Sequence, residues 1–181
     1  MRRWWAVLLP ILGGLLGAST GAAALAQNTT VSDVALKSAL FFKLPQFVYR
    51  PEEMRDQPLS VCLLGNNSLG GAFEKLAQAP IDGRTVKYSK LGTVSEAARC
   101  DFIYVSQSEA GTLDAILRKL TGLPVVTVSD IAGFAKAGGM VELALGGDGA
   151  AVSILINRKV ARQHNIEFNA QLLRLAKMVE P

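Results

Sequence analysis

Apolar residues recur along this chain in two rhythms. Some form short, mostly apolar runs: LSVCLL over residues 59–64, FIYV over 102–105 and VVTV over 125–128. Runs of this length, bounded by Gly, Pro, Asn or Asp, are what strands buried on both faces show. Others return every three or four positions. Val34, Leu40, Phe41, Leu44, Phe47 and Val48 do so within residues 31–49, and Leu113, Ile116, Leu117 and Leu120 within 109–120. Leu172, Leu173, Leu175, Ala176 and Val179 do so within 167–179. These spacings predict helices. Thr30 or Ser32 is placed to cap the first, and Pro45 should end or kink it near Leu44. Shorter helices are expected over 69–78, 131–137 and 158–164, and residues 85–88 alternate as a strand does. Residues 140–145 and 151–156 flank the sequence GGDGA, a hairpin signal. Strands alternating with helices imply βαβ units. The predicted fold is α/β in three layers: a mostly parallel sheet of about six strands, a C-terminal antiparallel hairpin, and helices on both faces.

The first 26 residues stand apart from this pattern. Arg2 and Arg3 precede an uncharged apolar run from Trp4 to Leu16, and small residues then close on Ala24, Leu25 and Ala26 before Gln27. That is the layout of a cleaved secretory signal peptide, and its apolar run falls short of the roughly 20 residues a membrane span needs. The expected mature chain is residues 27–181, a single periplasmic domain. Losing the two signal arginines lowers the formal charge from +4 to +2, so the basic balance of the whole chain says little about nucleic acid.

Chemistry-bearing residues are sparse. The loop over residues 65–71, GNNSLGG, lacks the Lys and Ser/Thr of a phosphate-binding P-loop and the spacing of a dinucleotide fingerprint. His164 is the one histidine, and no G-x-S-x-G elbow is present. With two separated cysteines, the chain offers a zinc ion too few ligands. No catalytic residue, cofactor or metal is therefore expected. Arg158, Lys159, Arg162 and His164 form a basic stretch whose simplest reading is a solvated helix face. Asp130 is placed to cap a helix starting at Ile131, and Asn157 to close a strand-to-helix turn.

Two features remain. Phe41, Phe42, Phe47 and Tyr49 crowd one short segment, more than a single helical stripe buries. They are candidate partner-contact residues, with the core or a homodimer seam as the alternative. Cys62 lies in the first strand and Cys100 at the start of the third. Neighbouring strands about 4.8 Å apart allow a disulfide, while two buried thiols would be equally compact.

Several stretches, in order, carry a family pattern: residues 34–48 with Pro51, LSVCLLG over 59–65, CDFIYVS over 100–106, PVVTVSDIAGFAKAGGM over 124–140, ILINR over 154–158, and FNAQLLRLA over 168–176. Together they resemble the YfiR-like family of bacterial periplasmic proteins across the whole mature chain. The departures are local: there is no second, closely spaced cysteine pair, Asp101 stands where His is frequent, and Tyr49-Arg50-Pro51 replaces an aromatic-Pro pair. The resemblance implies a regulator without enzymatic activity that represses an inner-membrane diguanylate cyclase, or a related sensor kinase, by binding its periplasmic sensor domain. An outer-membrane lipoprotein would relieve that repression, and cyclic di-GMP and biofilm would follow. The alternative expectation is a periplasmic small-molecule binder, with its site beyond the strand ends near residues 65–71 and 106–109.

Overall fold

In a computed structural model, residues 22–49, 57–145 and 151–180 are described. Most of the expected signal segment, the loop holding Pro51 and the hairpin turn over residues 146–150 lie outside them. Among the described residues the main sheet has seven strands, in the order β3-β2-β4-β5-β6-β7-β9. They are β2 (Leu59–Leu64), β3 (Val86–Leu91), β4 (Phe102–Val105), β5 (Val126–Ser129), β6 (Val141–Leu145), β7 (Val152–Ile156) and β9 (Lys177–Met178). Only β6 and β7 pair antiparallel, with Val141 opposite Ile156 and Leu145 opposite Val152; the other neighbours run parallel. A separate two-stranded sheet pairs β1 (Val48–Tyr49) with β8 (Glu167–Phe168). The three-layer α/β expectation holds, with one strand more in the main sheet.

The apolar runs are buried on both faces. In β2, Val61 and Leu63 enter one core while Cys62 and Leu64 enter another on the opposite face. In β4, Phe102 and Tyr104 divide from Ile103 and Val105 in the same way. The larger core is covered by α1 (Ala22–Lys43), α2 (Gly70–Leu76), α4 (Arg158–Gln163) and α5 (Ala170–Leu175), through Phe41, Phe73, Ala161 and Leu172. The smaller is covered by α3 (Leu113–Leu120), through Leu113, Ile116 and Leu120, and by the 3₁₀ turn Val94–Arg99, through Ala97.

Several expectations are corrected. Helix α1 already runs from Ala22, upstream of Thr30 and Ser32, and gives way at Leu44 to a 3₁₀ turn that contains Pro45. Strand β3 extends to Leu91 because Ser89, Lys90 and Leu91 stay in register with Cys62, Leu63 and Leu64. The helix expected over 167–179 is divided into β8, α5 and β9. Asn169 caps α5 by accepting from Leu172 N–H at 2.9 Å, and Ala176 turns extended. Leu175, placed on the apolar face by its spacing, is 70% exposed.

The helix expected over 131–137 is a compact turn instead. Partners distant in sequence capture its backbone groups. The buried Glu142 carboxylate accepts from Gly133 N–H at 3.1 Å and Ala135 N–H at 3.0 Å. Asn157, fully buried, donates to the Ala135 carbonyl at 2.8 Å and accepts from Val160 N–H at 3.1 Å, the latter closing the strand-to-helix turn as expected. Gly139 lies against the Phe134 ring, and a Cβ there would penetrate it. Because Phe134 is wholly buried, Gly139→Ala is expected to cost about 1–3 kcal/mol by overpacking. Urea unfolding of the variant checks this, and an unchanged midpoint would contradict it.

Candidate functional site

The chain reverses direction across the sheet at β2: β3 lies on one side of it and β4 on the other. The loops leaving the carboxyl ends of β2 and β4 therefore part, and such a switch point is where open α/β sheets place their ligands. Here the two loops are tied together. Asn66 N–H donates to the Ser108 hydroxyl at 2.9 Å, and that hydroxyl lies 3.3 Å from Glu109 Oε1. Gly65 sits between them at φ 91°, where a Cβ would collide with Ser108 and Glu109, so this position requires glycine. Beside the tie, a cavity of about 580 Å³ is lined by Asn66, Lys90, Thr93, Glu109, Thr112 and Lys119 among others. It carries two ammonium groups and one carboxylate. The loops anticipated as a ligand site thus do meet, at the edge of an open crevice.

A second polar cluster lies beneath α1, and the sequence reading did not foresee it. Lys37 Nζ is 2.9 Å from Asp130 Oδ2, with side-chain exposures of only 10% and 7%. Asp130 is therefore not the cap of the following turn; the Ser129 hydroxyl is, accepting from Ile131 N–H at 3.0 Å. Ser38, next to Lys37, is within hydrogen-bond reach of the Leu69 carbonyl at 3.0 Å and so ties α1 to the loop after β2. The Tyr104 phenol, the Ser68 hydroxyl and Asp130 Oδ1 are buried, and among the described residues none completes a hydrogen bond. Burial first, and the neighbouring Asp130 charge second, push the Tyr104 phenol well above the ordinary tyrosine value of 10.0.

That phenol makes two predictions. The phenol interacts with Asp130 and Ser68 without completing a hydrogen bond of good geometry, so Tyr104→Phe is expected to cost no more than about 1 kcal/mol near neutral pH. The second concerns alkali. The folded pKa is raised, so the neutral phenol's contribution is whole below pH 10.0 and is lost as pH rises beyond it. The unfolded chain ionises there and the folded one does not. Tyr104→Phe should thus lose less stability than the wild type on going to about pH 11. Equal alkaline losses in parallel urea titrations would contradict this.

The four aromatic residues proposed for contact separate. Phe41 and Phe42 are buried, and Phe41 packs in tilted contact with Phe73 and Tyr104 at 5.0 and 5.1 Å between ring centroids. They are core residues, so an exposed cluster of four is corrected for these two. Phe47 is half-buried against the same core. Tyr49 is 64% exposed on β1, at the mouth of a 310 Å³ cavity also lined by Arg99, Cys100, Asp101 and Pro124. Cys100 and Cys62 are bonded, with Cα atoms 6.0 Å apart. The bond links β2 to the residues leading into its neighbour β4 and is buried with α3 on the second face.

The basic stretch also separates. His164 turns inward, its Nδ1 2.7 Å from the Leu123 carbonyl. Arg158, Lys159 and Arg162 stay exposed on α4 and line a groove against β9.

The geometry defines a two-faced α/β domain with an open crevice at its switch point and a bare basic groove at one sheet end. A family model described as YfiR/HmsC-like matches residues 34–177. The chain belongs to the YfiR/HmsC-like family, a regulatory, periplasmic and non-enzymatic family. Among curated proteins nothing matches it. Its fold is shared by an ABC domain in complex with L-Trp from Streptococcus pneumonia, at 14% identity and TM-score 0.53 over 82% of this chain. It is shared by a conserved domain protein from Vibrio cholerae, at 13% and 0.57 over 81%. A ligand-free, open substrate-binding protein with adhesive properties from Clostridium difficile matches at 12% and 0.51 over 78%. The matches span 60%, 60% and 57% of those three chains.

Proposed function

We propose that this protein is an exported repressor that binds the periplasmic sensor domain of an inner-membrane diguanylate cyclase or related sensor protein. Family membership over residues 34–177 carries the reading. On this account residues 1–26 are removed on export and residues 27–181 act as one domain. Tyr49, exposed on β1, is the remaining contact candidate of the aromatic segment, since Phe47 packs against the core and Phe41 and Phe42 are buried within it. An outer-membrane lipoprotein that sequesters the repressor, and a homodimer, are the further partners the reading admits. Deleting the gene should raise cellular cyclic di-GMP, and the full chain should restore it where a chain lacking residues 1–26 does not. Unchanged cyclic di-GMP on deletion would rule out a diguanylate cyclase as the target.

A second reading, a periplasmic small-molecule binder, is favoured by one observation. The crevice of about 580 Å³ at the switch point has the size usual for small-ligand sites, about 300–1,000 Å³, and is lined by groups of both charges. Two fold neighbours are a domain bound to L-Trp and a substrate-binding protein. A melting screen against small zwitterions tests this reading, since a ligand that binds only the folded state raises the melting temperature.

A further inference from the structure

We propose that the groove between α4 and β9 docks an acidic, extended segment of a partner protein, which adds as a strand to the free edge of β9. The proposal rests on the protein-contact reading above and assigns it a second surface, far from Tyr49 in sequence and distinct in charge.

The cations come first. Arg158, Lys159 and Arg162 lie on one wall of a groove of about 760 Å³, with Met178, Val179 and Glu180 on the other. All three are exposed, and none takes part in an ion pair among the described residues. Among the described residues that line the groove, Glu180 alone carries a side-chain carboxylate. Facing cations with so little local compensation hold a positive potential, which attracts an acidic partner.

The strand edge comes second. β9 is the last strand of the main sheet and pairs with β7 through Leu155↔Lys177 and Ile156↔Met178. Val179 N–H donates to the Ile156 carbonyl at 2.9 Å. Because alternate residues of a strand direct their backbone groups to opposite sides, the N–H and C=O of Met178 point away from β7. Among the described residues no strand meets them. An unpaired edge is a template for another chain, and strand addition is an established way of binding an extended peptide.

Apolar surface comes third. Met178 is 48% exposed and Leu175, just before β9, is 70% exposed. A segment alternating acidic and apolar residues would satisfy all three features. A small inorganic anion would use the cations alone. A second copy of this chain, pairing β9 with β9, would bring two sets of like charges together.

The test uses a fluorescein-labelled peptide of alternating Asp and Val, titrated with the exported protein and read by fluorescence anisotropy. Binding should occur at low ionic strength, weaken about tenfold in Arg158→Glu/Arg162→Glu, and weaken as salt rises. A Lys-Val peptide should not bind, and an N-methylated Asp-Val peptide, which cannot pair with the edge, should bind about tenfold more weakly. Because both arginines are exposed, melting of the variant should match the wild type. Absence of Asp-Val binding, equal binding by the variant or by the N-methylated peptide, or displacement by inorganic phosphate at matched charge would each overturn the proposal. Its failure would leave the cyclic di-GMP result intact. Peptide binding without any cyclic di-GMP effect would instead retain the groove and discard the cyclase.

Discussion

Replacing Lys37 with methionine is expected to lower the free energy of unfolding by about 3–5 kcal/mol, because it strands a buried carboxylate. The pair is not a surface salt bridge of small worth. Lys37 Nζ and Asp130 Oδ2 meet at 2.9 Å with side-chain exposures of 10% and 7%, so neither partner regains full hydration when the other is removed. Asp130 is already short of partners, since Oδ1 has none among the described residues. Methionine keeps most of the volume of the lysine stem and deletes the cation, so the loss reports charge and not a cavity. The double variant Lys37→Met/Asp130→Leu should regain most of it, because an apolar pair can replace a buried ion pair at little cost. Urea unfolding of the three variants forms the cycle. A Lys37→Met loss below about 1 kcal/mol would show that Asp130 is rehydrated and the pair is energetically a surface pair.

Replacing both cysteines with alanine is expected to cost a similar amount, about 4 kcal/mol in the chain-entropy model. Cys62 and Cys100 are 38 residues apart, and the loop between them contains α2, β3 and the 3₁₀ turn Val94–Arg99. Closing it in the unfolded chain removes much of the freedom that folding must otherwise overcome. The bond also fixes the entry to β4 beside β2, the pair on which both faces of the core are built. Thermal unfolding with and without reductant, beside the double-alanine variant, reads this loss. A reduced protein as stable as the oxidised one would contradict it.

Elements whose cause is local were legible in the sequence. β2 and β4 were legible to the residue, because burial on both faces leaves a short run that is almost wholly apolar, interrupted only by Ser60 in β2 and the phenol of Tyr104 in β4. The end of α1 ahead of Pro45 and the Asn157 cap were legible from local residue chemistry. What failed depended on distant partners. The stretch IAGFAKA over residues 131–137 has helical spacing, yet Glu142 and Asn157 take its backbone groups and hold it as a turn. β9 became a strand because β7 offered an edge, which a two-residue sequence cannot announce. Phe41 and Phe42 were read as too many for one helix face, but α1 meets both α2 and the sheet, so two aromatics find cover where one stripe would hold fewer. The Lys37–Asp130 pair left one trace: Lys37 precedes Leu40 and Phe41 by three and four positions, which puts a cation on the apolar stripe.

On the proposed function, this protein acts by binding a membrane sensor through that sensor's periplasmic domain. The most direct test is recovery of partners by the tagged exported protein from solubilised inner membrane, identified by mass spectrometry. Enrichment of a diguanylate cyclase or sensor kinase carrying a periplasmic domain is expected, weakened by Tyr49→Ala with the fold intact. Recovery of no membrane sensor by a protein that melts cooperatively would contradict it.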